Sequence, residues 1–256
     1  MDDLTLALHL ADAADEISLA RFHASDLVVE TKPDMTPVTD ADRAVESALR
    51  DLLAEHRPMD AIHGEEMGSE TGERQWIIDP IDGTKNFVRG VPIWATLIAL
   101  REGDVVTTGV VSAPALGRRW WASRESGAMG SGLGSPRPNL AVSQVSQMSD
   151  ASFGYSDSVG WPQGALGRLL GGTWRQRGYG DFWSHVMVAE GVIDIAAEPL
   201  LRIHDVAALI PIIEQAGGRI TTFSGTEFPW NDPHAEFSAL TTNGLLHNSV
   251  VDLVRD

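Results

Sequence analysis

The sequence predicts an α+β protein built of stacked helix and sheet layers, and two observations predict it. In the first half, strand-like runs follow one another at 61–63, 76–78, 94–100, 105–111 and 119–122. In the second half they alternate with helical stretches: strand at 152–155, helix at 181–190, strand at 193–197, helix at 205–215. Runs of strands place α+β ahead of α/β, and both call for layers that bury one face of each sheet.

The elements follow in order. Residues 2–24 set Leu6, Leu10, Ala13, Ala14, Ile17 and Ala20 on one helical face. Leu27 to Val29 reads as a short strand. Thr31 to Val38 holds two prolines in a polar stretch and is expected to be a loop. Thr39 is the expected N-cap of a helix carrying Ala44, Val45, Ala48, Leu49 and Leu52, which stops near Pro58. Ala61 to His63 is a strand running into Gly64-Glu65-Glu66. Glu102-Gly103-Asp104 joins two strands as a hairpin. Ser126 to Pro138, rich in Gly, Ser and Pro, is the best boundary, dividing the chain into 1–135 and 136–256. Leu166 to Leu170 is weakly helical. Asp205 to Gln215 is expected to be one helix kinked at Pro211. Strands at 219–223 and 239–242 precede a closing helix at 248–254. No internal repeat stands out.

Composition excludes several functions. The 256 residues contain no cysteine, which removes disulfides, thiolate zinc sites and cysteine-nucleophile phosphatases. The formal net charge of −17 makes nucleic acid an unfavourable partner. The N-terminus has no basic region or apolar signal core, and no apolar run approaches a membrane span, so a soluble, cytoplasmic protein is expected. None of the eight histidines forms an H-x-H pair, and no D-x-D-x-[TV] nucleophile block occurs.

The chain is organised around Trp76-Ile77-Ile78-Asp79-Pro80-Ile81-Asp82-Gly83-Thr84-Lys85-Asn86-Phe87. An apolar strand is expected to end at Asp79-Pro80, because proline removes a pairing donor. That leaves Asp79 and Asp82 close together on a rigid turn, with the Gly83-Thr84 backbone open to an anion. Hard oxygen ligands in this setting suit a cation such as Mg²⁺; a solvated acidic turn is the plain alternative. Glu65 and Glu66 point to opposite sides of their chain, so at most one joins such a site. Asp205, Asp181 and Asp40 each read locally as a residue of a helix's first turn.

Asp79 to Phe87 resembles the D-P-I-D-G-T-x-N-F block of the inositol monophosphatase superfamily. Companion blocks run from Lys32 to His247. Trp76 to Leu100 is most similar to the actinobacterial-type histidinol-phosphate phosphatases, as are Lys32 to Glu46 and Tyr179 to Gly191. The resemblance implies an αβαβα sandwich, a homodimer and a Mg²⁺-dependent phosphomonoesterase in which metal-activated water attacks the phosphorus. It implies two principal Mg²⁺ ions held by Glu65, Asp79, Asp82, Asp205 and the Ile81 carbonyl, with a third, weaker ion. Glu66 is implied in support of these ligands. It implies that Asp40 and Thr84 orient or deprotonate the water, and that the Gly83 and Thr84 N–H groups bind phosphate. Glu198, seven residues before Asp205, is implied as a substrate contact. With Asp181 it is a candidate for holding a substrate ammonium. His204 stands where the family usually has tryptophan. It reads as a core or supporting histidine, with substrate contact the alternative. The implied substrate is L-histidinol phosphate. Inositol 1-phosphate or a range of sugar phosphates is the alternative within the class, and a non-catalytic metal-binding regulator the alternative outside it. Arg118 to Trp121 is read as structural or dimer-facing.

Overall fold

The computed structural model describes residues 1–256 apart from 34, 133, 134, 138, 231, 233 and 256. Its elements in order are α1 (Asp3–Arg21), β1 (Val29–Thr31), β2 (Pro37–Thr39), α2 (Asp40–His56), β3 (Ala61–Gly64), β4 (Arg74–Asp82), α3 (Thr84–Arg89), β5 (Ala95–Glu102), β6 (Val105–Ala113), β7 (Arg118–Ser123), β8 (Gly127–Gly132) and β9 (Ser135–Arg137). The second half adds β10 (Ser152–Gly154), α4 (Ala165–Gly172), β11 (Arg175–Arg177), α5 (Asp181–Ala189), β12 (Ile195–Leu201), α6 (Ile203–Val206), α7 (Leu209–Gln215), β13 (Arg219–Thr221), β14 (Phe237–Thr242) and α8 (His247–Val254).

Among the described residues the strands form a seven-stranded sheet ordered β3-β4-β5-β6-β7-β8-β9. A five-stranded sheet is ordered β11-β10-β12-β14-β13, and β1 and β2 make a small ribbon. Period-two alternation assigns the faces of the large sheet. Trp76, Ile78, Ile98 and Leu100 face α1 and α2, meeting Leu6, Leu10, Val45 and Leu49. Ile77, Leu97 and Ala99 face the other way, onto Phe182, Val186, Leu209 and Ile212 of α5 and α7. The small sheet covers those helices from behind, and its far face buries Phe153, Ile195 and Leu240 against Leu169 of α4 and Val250 of α8. The layers therefore run helix, sheet, helix, sheet, helix, as the resemblance implies. No helix among the described residues is long and apolar enough to cross a membrane.

Several expectations change. The ends of the Thr31–Val38 stretch belong to an antiparallel ribbon that pairs Thr31 with Pro37 and Glu30 with Val38; Asp34 within the stretch lies outside the described residues. The 135/136 division falls inside β9, and residues 133, 134 and 138 of the expected boundary stretch also lie outside them. The single 205–215 helix is two, α6 and α7, broken before Pro211. The ring would clash with the carbonyl four residues earlier, so the break absorbs what a kink would have strained. Within the Arg118–Trp121 cluster, Arg119 and Trp120 help hold the fold together. Trp120 is fully buried, with its indole N–H on Glu190 at 2.9 Å. Arg119 ties β7 to Asp15 of α1 at 2.6 Å.

Thr39 caps α2 as expected, and Asp42 completes the box, accepting from the Thr39 N–H at 2.8 Å. Thr39→Ala should cost about 1 kcal/mol of stability, the usual loss for such a cap. Denaturant unfolding that returns wild-type stability would remove the cap from the fold's support.

Candidate active site

Asp79 and Asp82 arrive on β4, which does not stop at Pro80. The strand pairs Asp79 with Leu97 and Asp82 with Ala95 across a register shift. That bulge is where a sheet tolerates a proline. The Pro80 carbonyl is satisfied from the side by the Thr96 hydroxyl at 2.8 Å. Gly83 then turns the chain into α3 with φ +83°, a conformation that an L side chain resists. The first N–H groups of α3 consequently open beside the two aspartates, free of intrahelical partners.

Glu65 leaves the end of β3, where its N–H donates to the Ile78 carbonyl at 3.2 Å. Lys32 reaches in from the β1–β2 ribbon, 2.7 Å from Glu65, and also bonds Glu66. The turn rests on a residue that the sequence reading missed. Glu46 of α2 is fully buried and accepts from the Glu66 and Met67 N–H groups at 2.8 and 3.0 Å, with Arg50 beside it at 2.9 Å. Its sequence signal is the Glu46–Arg50 spacing of four on one helix face.

Asp205 is the third residue of α6 rather than its first, and accepts from the Arg202 N–H at 2.6 Å. Oxygens of Asp79, Asp82 and Asp205 lie within 4.8 Å of one another. So do ligand atoms of Glu65, Asp79 and His204, so Asp79 belongs to both groups. Asp79 is 2% exposed, and its Oδ1 has no hydrogen-bond partner among the described residues. Burial pushes the Asp79 carboxyl well above the ordinary carboxylate range, and the charges of Glu65, Asp82 and Asp205 push it further. Burial does the same to Asp82, helped by Asp181 and Asp205. Carboxylates this close and this dry cannot all ionise unless a cation joins them. The residues present therefore fit divalent metal binding.

Asp40 is a correction. Its carboxylate turns outward onto Arg21 at 2.7 Å. The carboxylate beside Thr84 is that of Asp42, with Oδ1 3.4 Å from the Thr84 hydroxyl, which also reaches the Ile81 carbonyl at 3.0 Å. Asp40 and Asp42 are two positions apart on the first turn of α2, and only the second faces inward. Asp42 is fully buried, and burial pushes its carboxyl up to about 6.

Asp181 is the first residue of α5, with Gly180 as its cap. It stands at φ +44° and accepts from Asn86 at 3.2 Å. Next to it, the Phe182 N–H at the start of α5 is taken by Asp82, which accepts from it at 2.9 Å. Glu198, near the end of β12, bonds the Ser156 hydroxyl, while its Oε1 is buried and unpartnered among the described residues. Burial raises the Glu198 carboxyl to about 8. Gly180 is needed there, since a Cβ would sit 2.1 Å from that oxygen. One cavity of about 1020 Å³ takes in every expected site residue except Asp40.

A layered αβαβα protein with clustered acids at the mouth between its sheets is a phosphatase-type scaffold. The chain belongs to the inositol monophosphatase family, whose model matches residues 2–255. It is 54% identical to the histidinol-phosphatase of Mycobacterium tuberculosis, over 98% of this chain and 96% of that one. It is 52% identical to the histidinol-phosphatase of Streptomyces coelicolor, over the same shares. Among solved structures, the Thermotoga maritima IMPase superposes with a TM-score of 0.87 at 30% identity, covering 99% of this chain and 96% of that one.

Proposed function

We propose that the protein hydrolyses L-histidinol phosphate to L-histidinol and phosphate, with two principal Mg²⁺ ions. The observation that carries this reading is the double use of Asp79, whose buried carboxylate belongs to both ligand groups. Near full-length identity to two relatives named histidinol-phosphatase supports the substrate. Glu65, Asp79, Asp82, Asp205 and the Ile81 carbonyl would hold the ions. When bound, they supply charge neutralisation for the phosphate and leaving oxygen and lower the pKa of water. Thr84 orients the attacking water through its hydroxyl, and Asp42 receives the proton. A carboxyl near 6 is well matched to that task at neutral pH. The N–H groups of Gly83 and Thr84 bind phosphate oxygens. A regulator without turnover has no use for the Asp42–Thr84 pair. The chain is expected to be a homodimer, which light scattering checks.

The deciding experiment is phosphate release with Mg²⁺ over histidinol phosphate, inositol 1-phosphate and fructose bisphosphate. Histidinol phosphate should have the highest kcat/KM, and a preference for inositol phosphate would overturn the substrate while leaving the phosphatase.

Two acids supply the preference for a cationic substrate. Asp181 and the unpartnered Glu198 oxygen face the cavity, and an ammonium would satisfy both. A charge-assisted hydrogen bond contributes on the order of 1.5–3 kcal/mol, so Asp181→Asn should lower kcat/KM for histidinol phosphate by roughly 10- to 100-fold. Inositol phosphate should be handled as by wild type. A parallel fall on both esters would return Asp181 to a structural role. The Glu198 carboxyl binds an ammonium only when ionised, and its folded pKa is about 8. The ratio of kcat/KM for histidinol phosphate to that for glycerol phosphate should therefore rise from pH 6 to pH 8, and stay flat in Glu198→Gln.

A further inference from the structure

We propose that the two cation positions differ in kind. One is all-oxygen, whereas the other includes the imidazole of His204 and accepts a borderline cation such as Co²⁺ or Zn²⁺ in place of Mg²⁺ more readily than the first does. This rests on the metal-ion reading given above and adds a nitrogen ligand to it. The Asp79, Asp82 and Asp205 group offers oxygen alone, whereas the Glu65, Asp79 and His204 group offers two carboxylates and a ring nitrogen within 4.8 Å of one another. In an octahedral site, metal–ligand bonds of about 2.1 Å put neighbouring ligands about 3.0 Å apart and opposite ones about 4.2 Å apart. Small shifts therefore close either group on one ion. Asp79 is 2% exposed with Oδ1 unpartnered among the described residues, so a buried donor already faces the position.

The histidine is held as a ligand would be. His204 is 6% exposed, and its Nε2 lies 3.7 Å from Asp205 Oδ1, too long for a hydrogen bond. On its other side Nδ1 lies 3.4 Å from Nε2 of the buried His63, with the two rings stacked at 22°. A ligating imidazole usually donates its second N–H to an acceptor that fixes its tautomer. His63 Nε2 stands where that acceptor belongs, leaving the His204 Nε2 lone pair for the ion. Imidazole favours later divalent metals, whereas carboxylates alone suit Mg²⁺.

The test uses the full chain loaded with Mn²⁺, with stoichiometry from calorimetry and ligation from electron spin echo envelope modulation. Wild type should bind two Mn²⁺ and show directly bonded ¹⁴N. His204→Gln should still bind two Mn²⁺ without the ¹⁴N signal, and its tightest Co²⁺ binding should weaken by at least about 10-fold, since losing even an outer partner of a ligand costs that much. His204→Phe, with no donor atom, should behave alike, so misfolding of one variant does not decide the matter. Two bound Mn²⁺ without ¹⁴N coupling would overturn the proposal. His63 would then be the donor and His204 a prop for Asp205. Failure to bind any Mn²⁺ would overturn the metal reading itself.

Discussion

Asp79→Asn is expected to lower turnover by about 10³-fold or more, or roughly 4 kcal/mol of barrier. Among the described residues Asp79 alone belongs to both ligand groups, so one lost charge weakens both cation positions. Stability should move the opposite way in chelator. Burial and acidic neighbours raise the Asp79 carboxyl in the folded state. Such a group contributes stability below its unfolded pKa of about 3.9, and that contribution is lost as pH rises through the folded value. In the metal-free protein the cluster can ionise only against its own repulsion, and asparagine relieves part of that repulsion. With EDTA at pH 8, the variant should melt at or above the wild-type temperature. With Mg²⁺ the wild type should gain in Tm and the variant should not. A variant that keeps a tenth of the activity, or gains from Mg²⁺ as wild type does, would remove Asp79 from the centre of the site.

Legibility in the sequence followed how local each signal was. The carboxylates at the end of β4 announce themselves, because an apolar run, two acids, a proline and a glycine sit within eight residues. The bulge that carries β4 past Pro80 was not legible, since it depends on where β5 pairs. Stacked layers followed from element order and their αβαβα sequence from the resemblance, but β11 lies in a polar stretch without strand periodicity and among the described residues pairs with β10 alone. Glu46 was hidden for a different reason. A charged residue on a helix reads as solvent-facing, and only the turn packed on it shows that its charge is spent on two N–H groups and Arg50. Asp40 and Asp42 were the hardest pair. Both lie in the first turn after Thr39, and a capping box names its third residue as the inward one. Asp42 holds that position, so the signal existed but was weaker than the adjacency of Asp40 to the cap.

That distinction yields the second large effect. Asp42→Asn is expected to lower kcat by about 10²- to 10³-fold, within the range for removing a general base. Mg²⁺ affinity should stay near wild type, because neither candidate ligand group includes Asp42. Asparagine still accepts from the Thr39 N–H, so the cap is largely kept and Tm should change little. Thr84→Ala should lower kcat similarly, and Thr84→Ser should recover much of it, since the hydroxyl rather than the methyl lies 3.4 Å from Asp42. The double variant should be no slower than the slower single one, as for groups that act as a unit. Asp40→Asn is the control. It breaks a partly exposed pair with Arg21 and should cost well under 1 kcal/mol of stability and leave kcat within about twofold of wild type. If Asp40→Asn proved the slower of the two aspartate variants, the inward role would belong to Asp40 and the Asp42–Thr84 contact would be only a helix support. If Thr84→Ser were as slow as Thr84→Ala, Thr84 would serve packing, and the proton would leave the water by another route.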